Sequence, residues 1–173
     1  MTQTPTVPTA TSNDDAMLDA VTKFIADKEQ FRSKSYLVGG KGNPTIGYGF
    51  EYYDKDTPVK MGETMTKEQA VPLLKEKVRT FHNRLQDYEV YNTMTPTQKA
   101  GMVSFMYNLG PNVIDAPENP NLRKAVKSKD ITEIQKMMQK FNYRDGEFMP
   151  GLYDRRKEEV NIMNDETILF GEQ

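Results

Sequence analysis

The sequence has no cysteine, one histidine and no long run of apolar residues. Without cysteine, no disulfide can contribute to stability, and the cellular compartment cannot be inferred from cysteine content. A single histidine without cysteine argues against a structural zinc site and against a zinc protease. No apolar stretch approaches the ~20 residues of a membrane-spanning helix. We therefore expect neither a metal nor a cofactor, and no membrane span.

An excess of charge of either sign is also missing. The chain has 23 Lys and Arg residues against 25 Asp and Glu residues, for a net charge of -2. Non-specific binding to nucleic acid requires a basic surface, so this balance argues against a nucleic-acid partner. With 173 residues the chain is long enough to bury an apolar core as one domain.

The N-terminal segment differs in composition from the rest. Residues 1–13 are rich in Thr and Pro, which favours an extended or flexible tail. The segment lacks the basic start and the apolar centre of a secretory signal peptide. We predict a tail over residues 1–13 and a single folded domain over residues 14–173.

The first predicted helix ends at a carboxylate. It should start near Asn13 or Asp14, since both residue types cap helices well. Its apolar positions recur with a helical period: Leu18, Val21, Phe24 and Ile25. Glu29 follows Ile25 by four residues and so lies on or beside the buried stripe. A carboxyl group shielded from water keeps its proton more readily, which suits an acid catalyst; the alternative is an ordinary solvated or ion-paired Glu.

A glycine-rich turn and a short ribbon follow. Gly39, Gly40 and Gly42 predict a turn, and residues 45–49 (TIGYG) alternate as a strand does. A phosphate-binding loop would require Ser or Thr directly after Lys41, where the chain has Gly42. The segment is therefore read as a small antiparallel β-ribbon.

The remainder of the chain is predicted to be helical, except for a loop over residues 142–151. Thr66 with Gln69 and Thr95 with Gln98 each form a capping-box pattern at the start of a helix. The helix from Thr95 is apolar on nearly all sides, which predicts a buried central position. Asn108 is the polar residue out of place in that helix. It is either an amide bonded to backbone or a donor that lines a cleft. His82 is predicted to be partly exposed, without a role.

These elements predict an α+β fold that is mainly helical and has two lobes. Residues 14–65 would form the N-terminal lobe with the ribbon, residues 66–94 a connecting helix, and residues 95–173 a helical lobe. A ligand would bind in the cleft between the lobes.

The residues in three segments resemble the phage-type lysozymes, glycoside hydrolase family 24. Glu29, Tyr36 and the TIGYG ribbon are similar to the family's active-site region, and residues 95–110 are similar to its buried central helix. Residues 141–159, with FNY, PGL and RRKEE in sequence, are similar to its closing element. The resemblance covers about residues 16–163, in the family's order.

The resemblance implies cleavage of the β-1,4 bond between N-acetylmuramic acid and N-acetylglucosamine in peptidoglycan. Glu29 would be the general acid, and Thr45 would position the attacking water. Tyr48, Tyr107 and Asn108 would bind the glycan. Arg155 would support Glu29, with Arg156 as the alternative if the register shifts by one.

One position departs from the family pattern. Two residues after Tyr36 the family has its second catalytic Asp, whereas this chain has Val38, and no acidic residue lies between Glu29 and Glu51. Three readings follow: a muramidase whose second acid comes from elsewhere, with Asp54 or Asp56 as candidates; a lytic transglycosylase that uses Glu29 alone; or a catalytically impaired peptidoglycan-binding or virion structural module.

The resemblance also carries expectations about partners and location. The partner would be the glycan strands of peptidoglycan, and a free form of the protein would be a monomer. Without a signal peptide, it would be made in the cytoplasm of the host and act on the periplasmic or external cell wall. A virion-borne form would contact phage virion proteins through the N-terminal tail.

Overall fold

The computed structural model describes residues 11 to 171, with side chains from residue 13 onward. The helices of this part of the chain are α1 (Thr11–Lys28), α2 (Lys67–Leu85), α3 (Glu89–Thr93), α4 (Pro96–Leu109), α5 (Pro120–Ser128), α6 (Ile131–Met138), α7 (Pro150–Asn164) and α8 (Thr167–Phe170). The strands are β1 (Arg32–Leu37), β2 (Pro44–Gly47), β3 (Tyr52–Asp54), β4 (Thr57–Pro58), β5 (Tyr143–Arg144) and β6 (Glu147–Phe148).

The predicted fold class is confirmed. The strands pair in sequence order as three antiparallel ribbons, and the helices make up most of the described chain. Helix α1 begins at Thr11, so residues 11–13, which were predicted as tail, are helical. The rest of the predicted tail, residues 1–10, lies outside the described residues. None of the described helices is long and apolar enough to cross a membrane.

Helix α4 is the centre of the core, as its apolar sequence predicts. Thr95 accepts a hydrogen bond from the Gln98 amide, and Gln98 caps Thr95 in return. The helix packs against α1, α2 and α7. Gly101 allows α7 to approach closely, because a Cβ atom at Gly101 would lie 2.3 Å from Cγ of Met163 on α7. The two helices that bear on the site, α4 and α7, are therefore in tight contact.

Helix α2 begins at the predicted capping box of Thr66 but ends earlier than the predicted connecting segment. The chain turns after Leu85 and forms the short helix α3, so residues 66–94 hold two helices. The prediction for His82 was wrong: its side chain is buried, and its Nδ1 lies 2.6 Å from the hydroxyl oxygen of Tyr91. Tyr91 lies beyond the end of α2, and only the turn between α2 and α3 brings the two side chains together.

The first ribbon joins β1 and β2 and is the one next to Glu29. Tyr36 pairs with Thr45 across the ribbon, and a 3₁₀ turn over Val38–Gly40 begins the connection between the strands. Gly47 ends β2 with φ at +66°, and a Cβ atom there would lie 2.9 Å from Sδ of Met65. The backbone of the ribbon can hold this shape only with glycine at position 47.

A further ribbon replaces the loop that the sequence predicted over residues 142–151. Strands β5 and β6 form a hairpin closed by Asp145 and Gly146, both with positive φ. Such a pair of residues is typical of a tight two-residue hairpin turn. The hairpin leads directly into α7 at Pro150.

Candidate active site

Glu29 lies at the junction between α1 and the first ribbon. Its amide donates the last helical hydrogen bond of α1, to the carbonyl of Ile25 at 3.0 Å. Its side chain is 32% exposed, and Oε1 lies 3.3 Å from Nη1 of Arg155 on α7. The carboxylate is therefore open to solvent on one side and held by a cation on the other.

Arg155 is fixed by contacts behind Glu29. Its Nε donates to Oε1 of Glu159 at 3.2 Å, and its Nη2 lies 3.4 Å from Oγ of Ser104 on α4. The Ser104 hydroxyl in turn donates to the same Glu159 oxygen at 2.8 Å. Because Arg155, Ser104 and Glu159 are all buried, the guanidinium that contacts Glu29 has little freedom to move.

Arg156 supports a different predicted residue. Its Nη2 donates to Oδ1 of Asn108 at 2.9 Å and to Oε1 of Glu159 at 2.8 Å. Asn108 is therefore bonded to a side chain, whereas the sequence offered a backbone bond or a free cleft donor. Its amide nitrogen donates no hydrogen bond to the described residues.

The buried charges of Arg155, Arg156 and Glu159 attract one another, but burial removes the water that would solvate them. Burial raises the pKa of Glu159, against the opposing pull of Arg156, Ser104 and Arg155. Burial likewise lowers the pKa of Arg156, against the attraction of Glu159. Burial disfavours the charged form of each group, and the other groups of the cluster offset this effect. The ionised state of the cluster therefore depends on all its members being present.

Tyr107 lies on α4, directly before Asn108, and is partly buried. Burial, and then the charge of Glu29, raise the pKa of Tyr107 to about 12, so its hydroxyl remains a hydrogen-bond donor at neutral pH. Its ring packs on Phe81, with the ring centres 5.2 Å apart, and Nζ of Lys77 lies 5.5 Å from the ring centre. Two residues of α2 therefore hold the Tyr107 ring in place.

Thr45 and Tyr48 belong to the ribbon side of the site. Thr45 is buried, and its hydroxyl donates to the carbonyl of Asn43 at 3.2 Å, which leaves the oxygen free to accept. Tyr48 lines a cavity of 580 Å³ together with Glu29, and its ring packs 5.3 Å from that of Phe31. Burial raises the pKa of Tyr48. Among the described residues, no hydrogen bond joins Thr45 directly to Glu29.

The three positions considered for a second acid fall on exposed turns. Val38 is 63% exposed on its 3₁₀ turn. Asp54 accepts hydrogen bonds from the Asp56 amide at 2.9 Å and from the Thr57 hydroxyl at 3.0 Å, and these bonds lower its pKa. Asp56 lies 3.6 Å from Lys55 in an exposed pair. Both oxygens of Asp54 therefore close the β3–β4 hairpin.

A comparison with models of protein families identifies the family of the chain. The family model described as phage lysozyme matches residues 26–159, which include Glu29, the ribbon and the buried charges of α7. The chain belongs to the phage lysozyme family. The predicted resemblance is thereby confirmed, and membership of the phage lysozyme family supports a lysozyme-like, cell-wall-degrading function. A comparison with curated protein sequences finds no match.

Solved structures with the same fold include other phage lysozymes. An endolysin from the Escherichia coli O157:H7 phage FAHEc1 is 26% identical with a TM-score of 0.64, over 95% of this chain and 98% of that one. The muramidase domain of SpmX from Asticaccaulis excentricus is 21% identical with a TM-score of 0.68, over 84% and 95%. A mutant of P22 lysozyme is 18% identical with a TM-score of 0.64, over 92% and 100%. The last two show the fold alone.

Sequence reasoning missed two residues behind the site, Ser104 and Glu159, and it named Arg156 only as the alternative to Arg155. Ser104 was visible as a polar residue within the apolar helix α4, which indicates a buried polar network. The sequence also gave no role to Asn43 or Glu51, whose side chains are joined by a hydrogen bond of 3.1 Å. In residues 11–171, no group of three or more His, Asp or Glu side chains is arranged to bind a metal.

Proposed function

We propose that the protein is a muramidase that hydrolyses the β-1,4 bond between N-acetylmuramic acid and N-acetylglucosamine, with Glu29 as the general acid. The observation that carries the proposal is the contact between Glu29 and Arg155. Glu29 lies near the start of the segment that the family model matches, and Arg155 lies near its end. A glycosidic bond breaks when an acid protonates its leaving oxygen. Glu29 is a carboxyl group held at the cleft by a fixed partner, open on the side where a glycan strand would lie.

The other predicted residues take roles around that acid. Tyr107 and Asn108 offer donors to the sugar from α4, and Tyr48 forms part of the wall beside Glu29. Thr45 accepts a hydrogen bond from the attacking water on the ribbon side. Arg155 orients Glu29, a supporting role that does not require contact with the substrate.

The proposal is tested on purified peptidoglycan with Glu29→Gln. We expect the variant to lose activity by 10²–10⁴ or more, the usual contribution of a general acid. Glu68→Gln, an exposed residue at the start of α2, makes the same change of charge outside the site and should keep the wild-type rate. Equal rates in wild type and Glu29→Gln would reject every enzymatic version of the function.

A lytic transglycosylase is the second candidate, and Val38 is the observation that favours it. In that reaction the substrate's own hydroxyl attacks, so no carboxylate has to activate water. Mass spectrometry of the products separates the two reactions. Reducing muramic acid ends identify hydrolysis, and anhydro-muramic ends identify transglycosylation. Sedimentation with cell walls without any product would instead identify a binding module.

The place of action belongs to the same proposal. A cell-wall muramidase made in the host cytoplasm acts on the periplasmic or external wall. Residues 1–13 would be the segment that attaches a virion-borne form to phage structural proteins, and a free form would be a monomer. Size-exclusion chromatography with light scattering measures the last point directly.

A further inference from the structure

The position of Glu51, directly after the first ribbon, suggests a role that the family pattern does not give it. The reaction proposed above needs a group to take a proton from the attacking water, and the family's position for that group holds Val38. Glu51 is the first carboxylate after Glu29 in the sequence. It follows the ribbon directly, whereas both oxygens of Asp54 are engaged in the next hairpin.

Asn43 joins Glu51 to Thr45. Its side-chain Nδ2 donates to Oε2 of Glu51 at 3.1 Å, and its backbone carbonyl accepts from the Thr45 hydroxyl at 3.2 Å. The carboxylate and the hydroxyl are therefore both held by one residue. Ile46 and Phe50 form an antiparallel bridge, and Thr45 and Glu51 are the next residues outward on its two sides. Residues that oppose each other in an antiparallel pair place their side chains on the same face.

The backbone on both sides of Glu51 is fixed. Ile46 and Phe50 exchange two backbone hydrogen bonds, of 2.9 and 2.8 Å, and so close the turn directly before Glu51. The Glu51 carbonyl accepts from the Val59 amide at 2.9 Å. Glu51 Oε1 has no hydrogen-bond partner among the residues that the structure describes, and the side chain is exposed. One carboxylate oxygen is thus anchored and the other is available.

Lys77 both lines the cavity at Glu51 and contacts the Tyr107 ring. Glu51 and Lys77 line one cavity of 530 Å³ between the second ribbon and α2. Nζ of Lys77 is also 5.5 Å from the ring centre of Tyr107, which senses the charge of Glu29. Lys77 and Tyr107 therefore connect the cavity at Glu51 with the surroundings of Glu29.

We propose that Glu51, positioned by Asn43, is the second carboxylate of the reaction and acts as its general base. This inference rests on the proposed hydrolysis. The water oxygen forms a bond to the anomeric carbon while the bond from that carbon to the leaving oxygen breaks. Glu29 gives its proton to the leaving oxygen, and Glu51 takes one proton from the water. Exchange of protons with solvent then restores both groups.

The test compares Glu51→Gln with Glu29→Gln and Glu68→Gln in the full chain on purified peptidoglycan. We expect Glu51→Gln to lower the rate of hydrolysis by 10²–10⁴ with an unchanged melting temperature, since the side chain is exposed.

Azide provides a second readout in Glu51→Ala. Azide is a nucleophile that needs no base, and the shortened side chain leaves space for it. It should raise the rate of Glu51→Ala and give a glycosyl azide detectable by mass, but leave wild type unaffected. Asn43→Ala should lower the turnover number less than Glu51→Gln does, because it removes only the anchor.

The outcomes separate this inference from the proposed function. A wild-type rate in Glu51→Gln together with an inactive Glu29→Gln would overturn the role of Glu51 and leave the muramidase standing. Anhydro-muramic products made equally by wild type and Glu51→Gln would overturn it in favour of transglycosylation. Wild-type rates in both variants would reject the muramidase itself.

Discussion

The helical side of the cleft is held by buried charges, whereas the ribbon side is held by backbone hydrogen bonds and glycine. The helical side comprises Ser104, Tyr107, Arg155, Arg156 and Glu159, all but Tyr107 buried. The ribbon side comprises Asn43, Thr45 and Glu51, of which only Thr45 is buried. A buried charge that loses its partner is costly, whereas an exposed side chain is replaced with little effect on stability. Val38, where the resemblance implies the family's second carboxylate, is exposed and lies on this ribbon side.

This difference first predicts where a substitution unfolds the protein. Glu159→Ala would leave Arg155 and Arg156 buried without their shared carboxylate. We expect it to lower the free energy of unfolding by about 3–5 kcal/mol, measured by urea denaturation. The control is Glu158→Ala, which removes a half-exposed partner of Lys28 and should cost no more than about 1 kcal/mol. Equal losses in both variants would contradict the distinction.

The tight contact between α4 and α7 gives the next largest effect. Gly101→Ala would place a methyl group against Met163 and the Glu159 carbonyl, where no space exists. We expect a loss of about 1–3 kcal/mol, measured by thermal or urea unfolding. Gly151→Ala, in the first turn of α7, meets no atom within 4 Å and should be neutral or slightly stabilising. A neutral Gly101→Ala would show that the helices can separate freely.

His82 adds a pH dependence to the helical core. Burial lowers the pKa of His82 below its usual value. As the pH falls through about 6.5, the unfolded chain gains a proton that the folded chain does not, so stability decreases. Because His82 is the only histidine, His82→Gln should flatten the change in unfolding free energy between pH 7.5 and 5.5. An unchanged slope would assign the effect to other groups.

The smallest effect on stability is expected on the ribbon side. Val38→Asp should change the free energy of unfolding by no more than about 0.5 kcal/mol, since the side chain is largely exposed. If Glu51 already serves as the base, the added carboxylate should raise the rate of peptidoglycan hydrolysis less than about tenfold. A gain approaching 10²–10⁴ would show that the natural chain lacks a working second carboxylate.

The sequence predicted those parts of the molecule that depend on neighbouring residues. The capping boxes at Thr66 and Thr95 are confirmed because both partners lie within one turn of helix. The burial of His82 was missed because Tyr91 reaches it only after the turn between two helices. The sequence spacing alone could not show whether Arg155 or Arg156 contacts Glu29. Both arginines are buried, and only the packing of α7 directs Arg155 to Glu29.

The ribbon side shows the same limit. The strand character of residues 45–47 is local, and β2 includes them. The bond from Asn43 to Glu51 spans eight residues and depends on the turn that Gly47 and Gly49 permit. The aspartates named from the sequence, Asp54 and Asp56, were chosen by proximity along the chain, which does not show that a hairpin engages their side chains.

The contact between Arg155 and Glu29 also sets an order of events during synthesis. The two residues are 126 positions apart in the sequence. Arg156 and Glu159, in contrast, lie on the same helix as Arg155. A growing chain that has completed α1 and the first ribbon therefore holds Glu29 without its partner until α7 has been translated. Such distant contacts form late in folding because the loop between them must first be closed. The contact between Glu29 and Arg155 is thus completed only after α7 has been translated, and a chain that stops before α7 holds Glu29 without Arg155.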